Sequence, residues 1–310
     1  MKSLFNFLFV VVLSNAFSPT RRGSTLTRPI SLGPVSMCCK KVCDQQLFSA
    51  RTFIPVTQIA ANSLKPGESI HIIDNVLYPE SEYKRRMAIG KDAQFGEESS
   101  IAAAVEANDP RLFLTYHEFP LQSLDALLAL ATDTFETKNG RKPTVLVDLG
   151  SGCGRLVLYP ALASAETNCN TSWKEVHGIE ISSLMHDDAV NAVKKGAERD
   201  MFSLSSDVSK SIQIFLHQAP ANEMIDVLSK ADIIFCYSTV FDSKGFNVDI
   251  GAMILAKEWS QLLADSCKSG TVVITTDRAL NPDDEWSLKH ILEVENPSLL
   301  GSTGYISIRE

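Results

Sequence analysis

Acidic residues are absent from the first 43 positions of this 310-residue chain, which hold six of its 29 Lys and Arg and none of its 37 Asp and Glu. A membrane-spanning run is absent there too. Leu4–Leu13 is mostly apolar but only ten residues long, about half of what a bilayer requires. It follows Lys2 and precedes the small residues Ser14-Asn15-Ala16, the layout of a cleaved signal peptide over residues 1–16, with no stable membrane anchor expected after processing. The seven cysteines (Cys38, Cys39, Cys43, Cys153, Cys169, Cys236 and Cys267) are odd in number and include two in an expected glycine loop and a buried strand. That pattern argues against a disulfide framework and for a reducing compartment. No His or Cys pair follows Cys38, Cys39 and Cys43 at ligand spacing, so no metal site is expected.

Positive charge is scarce once the leader is set aside: residues 44–310 carry 23 Lys and Arg against 37 Asp and Glu. So acidic a body argues against sequence-independent nucleic-acid binding, which depends on neutralising phosphates. The segment 17–43 is basic, hydroxylated and free of acids, like a transit peptide. A signal peptide followed by Asn15-Ala16-Phe17-Ser18-Pro19 resembles the bipartite plastid presequence of algae with complex plastids. It implies delivery to the plastid stroma; plain secretion is the alternative.

No repeat of fixed period and no later low-complexity run interrupts the body. Residues 44–113 read as an N-terminal extension or cap, largely helical. Ser69–Asn75 is a candidate short strand, Pro79 a helix start running through Arg86, and Ser99–Ala107 an Ala-rich helix. From residue 114 onward strands and helices alternate. An amphipathic helix at Leu121–Phe135 leads to strands at Thr144–Asp148, Glu175–Glu180, Ser211–Leu216, Asp232–Tyr237 and Thr271–Thr275. Helices at Arg155–Ala165, Ser183–Arg199, Asn222–Ser229 and Val248–Ser266 separate them, and two strand-like runs, Leu288–Val294 and Gly304–Arg309, close the chain. Such alternation specifies an α/β fold with a doubly wound, mostly parallel sheet, here ending in an antiparallel hairpin.

The stretch Val145–Leu158, VLVDLGSGCGRLVL, organises this half. An apolar strand runs into Asp148, a loop with Gly150, Ser151, Gly152 and Gly154, and a helix opening at Arg155. A dinucleotide fingerprint needs a third glycine where Arg155 stands. An acid two residues before G-x-G-x-G instead resembles motif I of the Rossmann-like S-adenosylmethionine (AdoMet) methyltransferases, whose sheet has seven strands. In doubly wound sheets ligands sit beyond the carboxyl ends of the strands. There Glu180 is placed to accept both ribose hydroxyls, or else is a solvated loop acid. His217 and Gln218 stand where an adenine-binding acid is common, with a capping or core role as the alternative. Tyr237, Ser238 and Thr239 could hydrogen-bond an acceptor, with Phe241 as a wall. None of these is a strong general base, and a plain strand-to-helix turn is the other reading.

Tyr116-x-Glu118 before the first strand, with DLGSGCG and IIFCYSTVF after it, resembles the Dot-like (non-SET) histone lysine methyltransferases over Leu114–Arg278. The phrases HEFPLQSLDALLA, EVHGIEIS, VITTDRAL and GSTGYI are similar to uncharacterised plastid-type relatives of plants and algae. The resemblance implies that Tyr116 and Glu118 close over AdoMet, that Asp148 and the glycines hold its methionine part, and that Glu180 holds its ribose. It also implies transfer of a methyl group to a protein lysine amine or small molecule, with Tyr237, Ser238 and Tyr116 nearest the reaction. This chain departs from the family at His217-Gln218, at Tyr237-Ser238 and at Arg155. A non-catalytic AdoMet-binding module is the alternative, and a nicotinamide oxidoreductase the third.

Overall fold

The computed structural model describes residues 50–54, 64–95, 116–166, 173–199, 201 and 212–310. The leader segments, four of the cysteines (Cys38, Cys39, Cys43 and Cys169) and the expected helix at Ser99–Ala107 lie outside the described residues.

The strands are β1 (Ala50–Ile54), β2 (Val145–Leu149), β3 (Glu175–Glu180), β4 (Gln213–Gln218), β5 (Ile233–Cys236), β6 (Ser243–Asn247), β7 (Ala252–Leu255), β8 (Val272–Thr276), β9 (Trp286–Val294) and β10 (Ser302–Arg309). Eight of them form one sheet in the order β1-β4-β3-β2-β5-β8-β10-β9. The run β4-β3-β2-β5-β8 is parallel, and β10 lies antiparallel between β8 and β9. This is the doubly wound, mostly parallel sheet with its terminal hairpin. The seven expected strands gain an eighth, because β1 pairs antiparallel with β4. The N-terminal extension is therefore not helical throughout.

The parallel strands are buried on both faces. Leu146, Ile233, Phe235, Val272 and Ile274 belong to one core with helices α3 (Leu121–Asn139), α4 (Arg155–Ala163) and α5 (Ser183–Glu198). Val147, Leu149, Ile234, Cys236 and Val273 belong to the other, with α6 (Ile225–Leu228) and α7 (Lys257–Ser266). In α3, Leu121, Leu124, Leu127, Leu128, Ala131 and Phe135 form one buried stripe at helical spacing. Each of the larger side chains contributes roughly 2 kcal/mol by leaving water. A Cβ at Gly304 of β10 would collide with Leu127, so the small residue lets α3 lie close on the sheet. The helix ends at Gly140, in the left-handed conformation at φ 65°.

Three local expectations change. Ser69–Asn75 is helical: α1 (Glu68–Ile72) runs into a π-helical turn, Ile73–Leu77. Ser69, Ile72, Ile73 and Leu77 are buried on one face, a spacing of 3.6 rather than 2. The helix expected from Pro79 begins later, as a single 3-10 turn at Glu80–Glu82 followed by α2 (Tyr83–Phe95). Val248–Ser266 is not one helix. Asn247 accepts the amides of Asp249 and Ile250, and Gly251 at φ 71° completes a hairpin between β6 and β7 before α7 begins. Phe246 and Val248 are left exposed on that ribbon.

Candidate active site

The carboxyl ends of β2, β3 and β5 open on one cavity of about 730 Å³. Between β2 and α4, Gly150, Gly152 and Gly154 adopt φ of 79°, 54° and 80°, values an L side chain rarely tolerates. A Cβ at Gly154 would lie 2.8 Å from that of Ala189, so α5 packs directly against the loop. Gly178 of β3 is equally constrained, with Ser151 Oγ and Val157 Cγ2 each 2.7 Å from where its Cβ would stand.

Four amides of this loop are already engaged within the protein and do not cradle an anion, contrary to the usual arrangement at a helix N-terminus. Gly150 and Ser151 donate to Ile179 O at 2.9 and 3.0 Å, and Gly154 donates to Ser151 O at 2.9 Å. Gly152 N donates to Glu180 Oε2 at 2.8 Å. Ser182 N donates to the other oxygen, Oε1, at 2.8 Å, so the Glu180 carboxylate is fixed at both oxygens. Burial raises its pKa while the amides of Ser182, Gly152 and Ile181 oppose the rise.

Asp148 lies at the floor of the same loop, buried, with Oδ2 lacking any hydrogen-bond partner. Burial, and then the nearby Glu180, push its carboxyl up to about 8. A buried unsatisfied carboxyl group costs stability unless a ligand answers it.

Tyr116 and Glu118 wall the cavity beside the loop. The Tyr116 hydroxyl donates to Glu118 Oε1 at 3.0 Å and lies 2.8 Å from Cys153 Sγ. Burial, with Cys153 and Glu118 nearby, pushes this phenol well above its ordinary value. Glu118 is not an unengaged ligand. Arg86 of α2, itself 1% exposed, donates Nε to Oε1 at 2.5 Å and Nη2 to Oε2 at 3.2 Å. Burial alone would lower the Arg86 pKa, but Glu118 outweighs it and the guanidinium is held above its usual range. Arg155 joins the same assembly, donating to Phe119 O at 2.7 Å and to Asp74 at 2.6 Å. The departure at the third-glycine position is thus a strut between the glycine loop and the Tyr116–Phe119 segment. Gly90 leaves room for this segment: its Cβ would stand 2.5 Å from that of Tyr116.

Of the expected site residues, Tyr116, Glu118, Asp148, Gly150, Ser151, Gly152, Glu180 and Tyr237 line the cavity together, while Gly154 sits under α5. Three do not. Ser238 is fully buried, donating to Thr276 O at 2.8 Å and accepting from Thr276 N at 3.1 Å, so its hydroxyl ties β5 to β8 and does not face a substrate. His217 and Gln218 lie within β4, which runs two residues further than expected. His217 is buried, its Nε2 3.0 Å from His177 Nδ1, with the two rings stacked at 5.3 Å. The residues that do reach the cavity from this strand end are Ala219–Asn222.

Arg86 and Trp259 are site residues that sequence reasoning missed. Trp259 stacks on Phe241 at 4.5 Å, and both line the cavity. A single helix over Val248–Ser266, which the structure divides into β7 and α7, hides the signal for Trp259. Nothing local marks Arg86, whose partner is 32 residues away. Among the described residues no group of three or more His, Cys, Asp or Glu could hold a metal ion, and no helix is long and apolar enough to cross a membrane.

No family model and no curated protein matches the chain. Solved structures do. An RNA methyltransferase from Salinibacter ruber in complex with S-adenosyl-L-homocysteine is 22% identical, covering 63% of this chain and 95% of its own, at a TM-score of 0.37. Magnesium protoporphyrin IX methyltransferase from Synechocystis PCC 6803 with bound SAM is 14% identical, covering 81% and 100%, at 0.38. An O-methyltransferase from Bacillus cereus in complex with SAH is 13% identical, covering 73% and 99%, at 0.37. Likenesses at this level decide nothing about the chemistry of this chain.

Proposed function

We propose that this protein is an AdoMet-dependent methyltransferase. The observation that carries the reading is the loop's electrostatics: the Glu180 carboxylate, the buried carboxyl of Asp148, which a cation would ionise, and amides already spent at Gly150, Ser151, Gly152 and Gly154. A dinucleotide's pyrophosphate would meet the Glu180 carboxylate and amides already engaged, where it needs free donors. A cationic ligand meets what it needs. The unpartnered Oδ2 of Asp148 answers an ammonium group, and Glu180, locked by two amides, keeps lone pairs for ribose hydroxyls. Apolar walls from Met185, Ile181 and Leu262 suit a flat base.

When bound, AdoMet supplies a methyl group made electrophilic by its sulfonium. The protein's own contribution is position and dryness. Asp148 would hold the cofactor's ammonium group and Glu180 its ribose hydroxyls. Arg86 and Arg155 hold the Tyr116–Phe119 segment against the glycine loop, and Tyr116, Phe119 and Tyr237 exclude water from the reacting side. The proposed acceptor is a protein lysine amine, as the Dot-like resemblance implies, or a small molecule, and the proposed location is the plastid stroma.

Calorimetric titration of the protein with AdoMet, S-adenosylhomocysteine and NAD tests the reading. Binding of the first two but not the third is expected, and no binding of either would overturn it. A non-catalytic AdoMet-binding module is the second reading, favoured by the burial of Ser238. Turnover of AdoMet to S-adenosylhomocysteine with an acceptor separates the two.

A further inference from the structure

A chain of buried hydrogen bonds runs behind the cavity wall, from Tyr237 to a carboxylate that the methyl-transfer reading leaves unused. Asn296, 2% exposed, donates Nδ2 to the Tyr237 hydroxyl at 3.1 Å and to Ser302 Oγ at 2.9 Å. Ser302 Oγ donates to Asp277 Oδ2 at 3.1 Å. Thr239 Oγ1 donates to the same oxygen at 2.5 Å, and Thr303 N to Oδ1 at 2.8 Å. Asp277 stands at φ 59°, left-handed for a residue other than glycine, a conformation kept only where surroundings over-determine it.

The polarity of this chain follows from its far end. An ionised carboxylate can only accept, so Ser302 must donate to Asp277. Ser302 must then accept from Asn296, and the second N–H of the same amide points to the phenol oxygen. Tyr237 therefore accepts, and its own proton is left for Thr239 Oγ1 beside it or for a molecule in the cavity. The ring is held as well: it packs on Phe119 with centroids 5.3 Å apart.

We infer that Asp277, Ser302 and Asn296 are positioning residues that hold Tyr237 as a hydrogen-bond donor toward the methyl acceptor. The inference rests on the methyltransferase reading for the identity of the cavity's second occupant. A phenol held this way favours an acceptor molecule bearing a lone pair near the methylated atom, such as a carbonyl, hydroxyl or ring nitrogen.

The test is 13C NMR of the full chain labelled at tyrosine Cζ, with Tyr237 assigned through Tyr237→Phe. In the parent the phenol titrates above its ordinary range, since burial raises it and the Asn296 donor only partly offsets that. Asn296→Leu removes the donor, so the Tyr237 titration should move up by about one pH unit. Asp277→Asn keeps the left-handed backbone, which Asn tolerates, but breaks the polarity of the chain. It also removes a negative charge that helps to raise the phenol, so it should move the same signal the opposite way, down toward the ordinary tyrosine range. AdoMet affinity should change less than about threefold in both variants. An unmoved Tyr237 signal in both would overturn the inference. Should AdoMet bind none of the proteins, the methyltransferase reading falls, while the phenol titration still reports on the chain. If Asn296→Leu fails to fold, Ser302→Ala supplies the second break, with the same expected direction.

Discussion

Arg86 and Glu118, 32 residues apart, form a two-point ion pair in which Arg86 Nε lies 2.5 Å from Glu118 Oε1 and the arginine side chain is 1% exposed. The pair ties α2 to the segment that walls the cavity, beside the Arg155 bond to Phe119 O.

Removing Arg86 strips Glu118 of its two-point partner and leaves it the Tyr116 hydroxyl and, at 3.8 Å, Arg155. Arg86→Met is therefore expected to cost roughly 3–5 kcal/mol, read by urea denaturation. Combining it with Glu118→Gln should recover much of that loss, because no buried charge remains unpaired. A double variant no more stable than Arg86→Met would show that the pair is not what seats the segment.

The glycine loop gives a binding prediction. At φ 54°, with Met185 Cε 3.4 Å and Tyr116 Cε2 3.7 Å from where its Cβ would stand, Gly152 faces the cavity. Gly152→Arg should lower AdoMet affinity about 100-fold or more, equal to about 2.7 kcal/mol. The backbone strain is only about 1–2 kcal/mol, so circular dichroism should show a folded protein. Unchanged affinity in calorimetry would remove the loop from the cofactor site.

Asp148 makes stability fall as pH rises. Its carboxyl titrates near 8 in the fold against an ordinary 3.8. Between those values the unfolded chain gives up a proton that the folded chain retains, which favours unfolding progressively up to about pH 8. Asp148→Asn should consequently be more stable than the parent at pH 8, by on the order of 1 kcal/mol or more, yet bind AdoMet more weakly. A cationic ligand reverses the preference of Asp148, so binding at pH 7 should release up to one proton. Calorimetry in two buffers of different ionisation heat measures it, and zero release would contradict the ammonium contact.

Asp232 works in the opposite direction, at the far end of the sheet. Burial would raise its pKa, but Arg141 at 2.6 Å, the Thr144 amide at 2.8 Å and Lys268 at 3.0 Å hold it well below the usual carboxylate range. Its contribution is complete at neutral pH and is lost as pH falls below about 4. Asp232→Ala should destabilise by roughly 1–3 kcal/mol at pH 7, because Arg141 and Lys268 stay solvated while the Thr144 and Val145 amides lose their acceptor, with AdoMet binding unaffected in the protein that remains folded. A parent-like midpoint in thermal unfolding would refute the clasp.

Local sequence determined the glycine loop, the parallel strands and α3–α5, because period, apolar runs and Gly placement act over fewer than 20 residues. Asp148 and Glu180 were legible for the same reason: each ends an apolar strand, and strand ends meet on one side of such a sheet. Tertiary structure alone decided the rest. Arg86, Asn296 and Asp277 became site or positioning residues through partners distant in sequence, which no local pattern encodes. Ser238, three residues before the cavity-lining Phe241, was drawn into the β5–β8 seam, because its hydroxyl could satisfy both a buried carbonyl and a buried amide of Thr276. His217 went to the sheet interior because β4 extended two residues to match Glu180 on β3 with Gln218. Strand length is set by pairing with a neighbour, and a single chain segment read alone carries no record of where its neighbour stops.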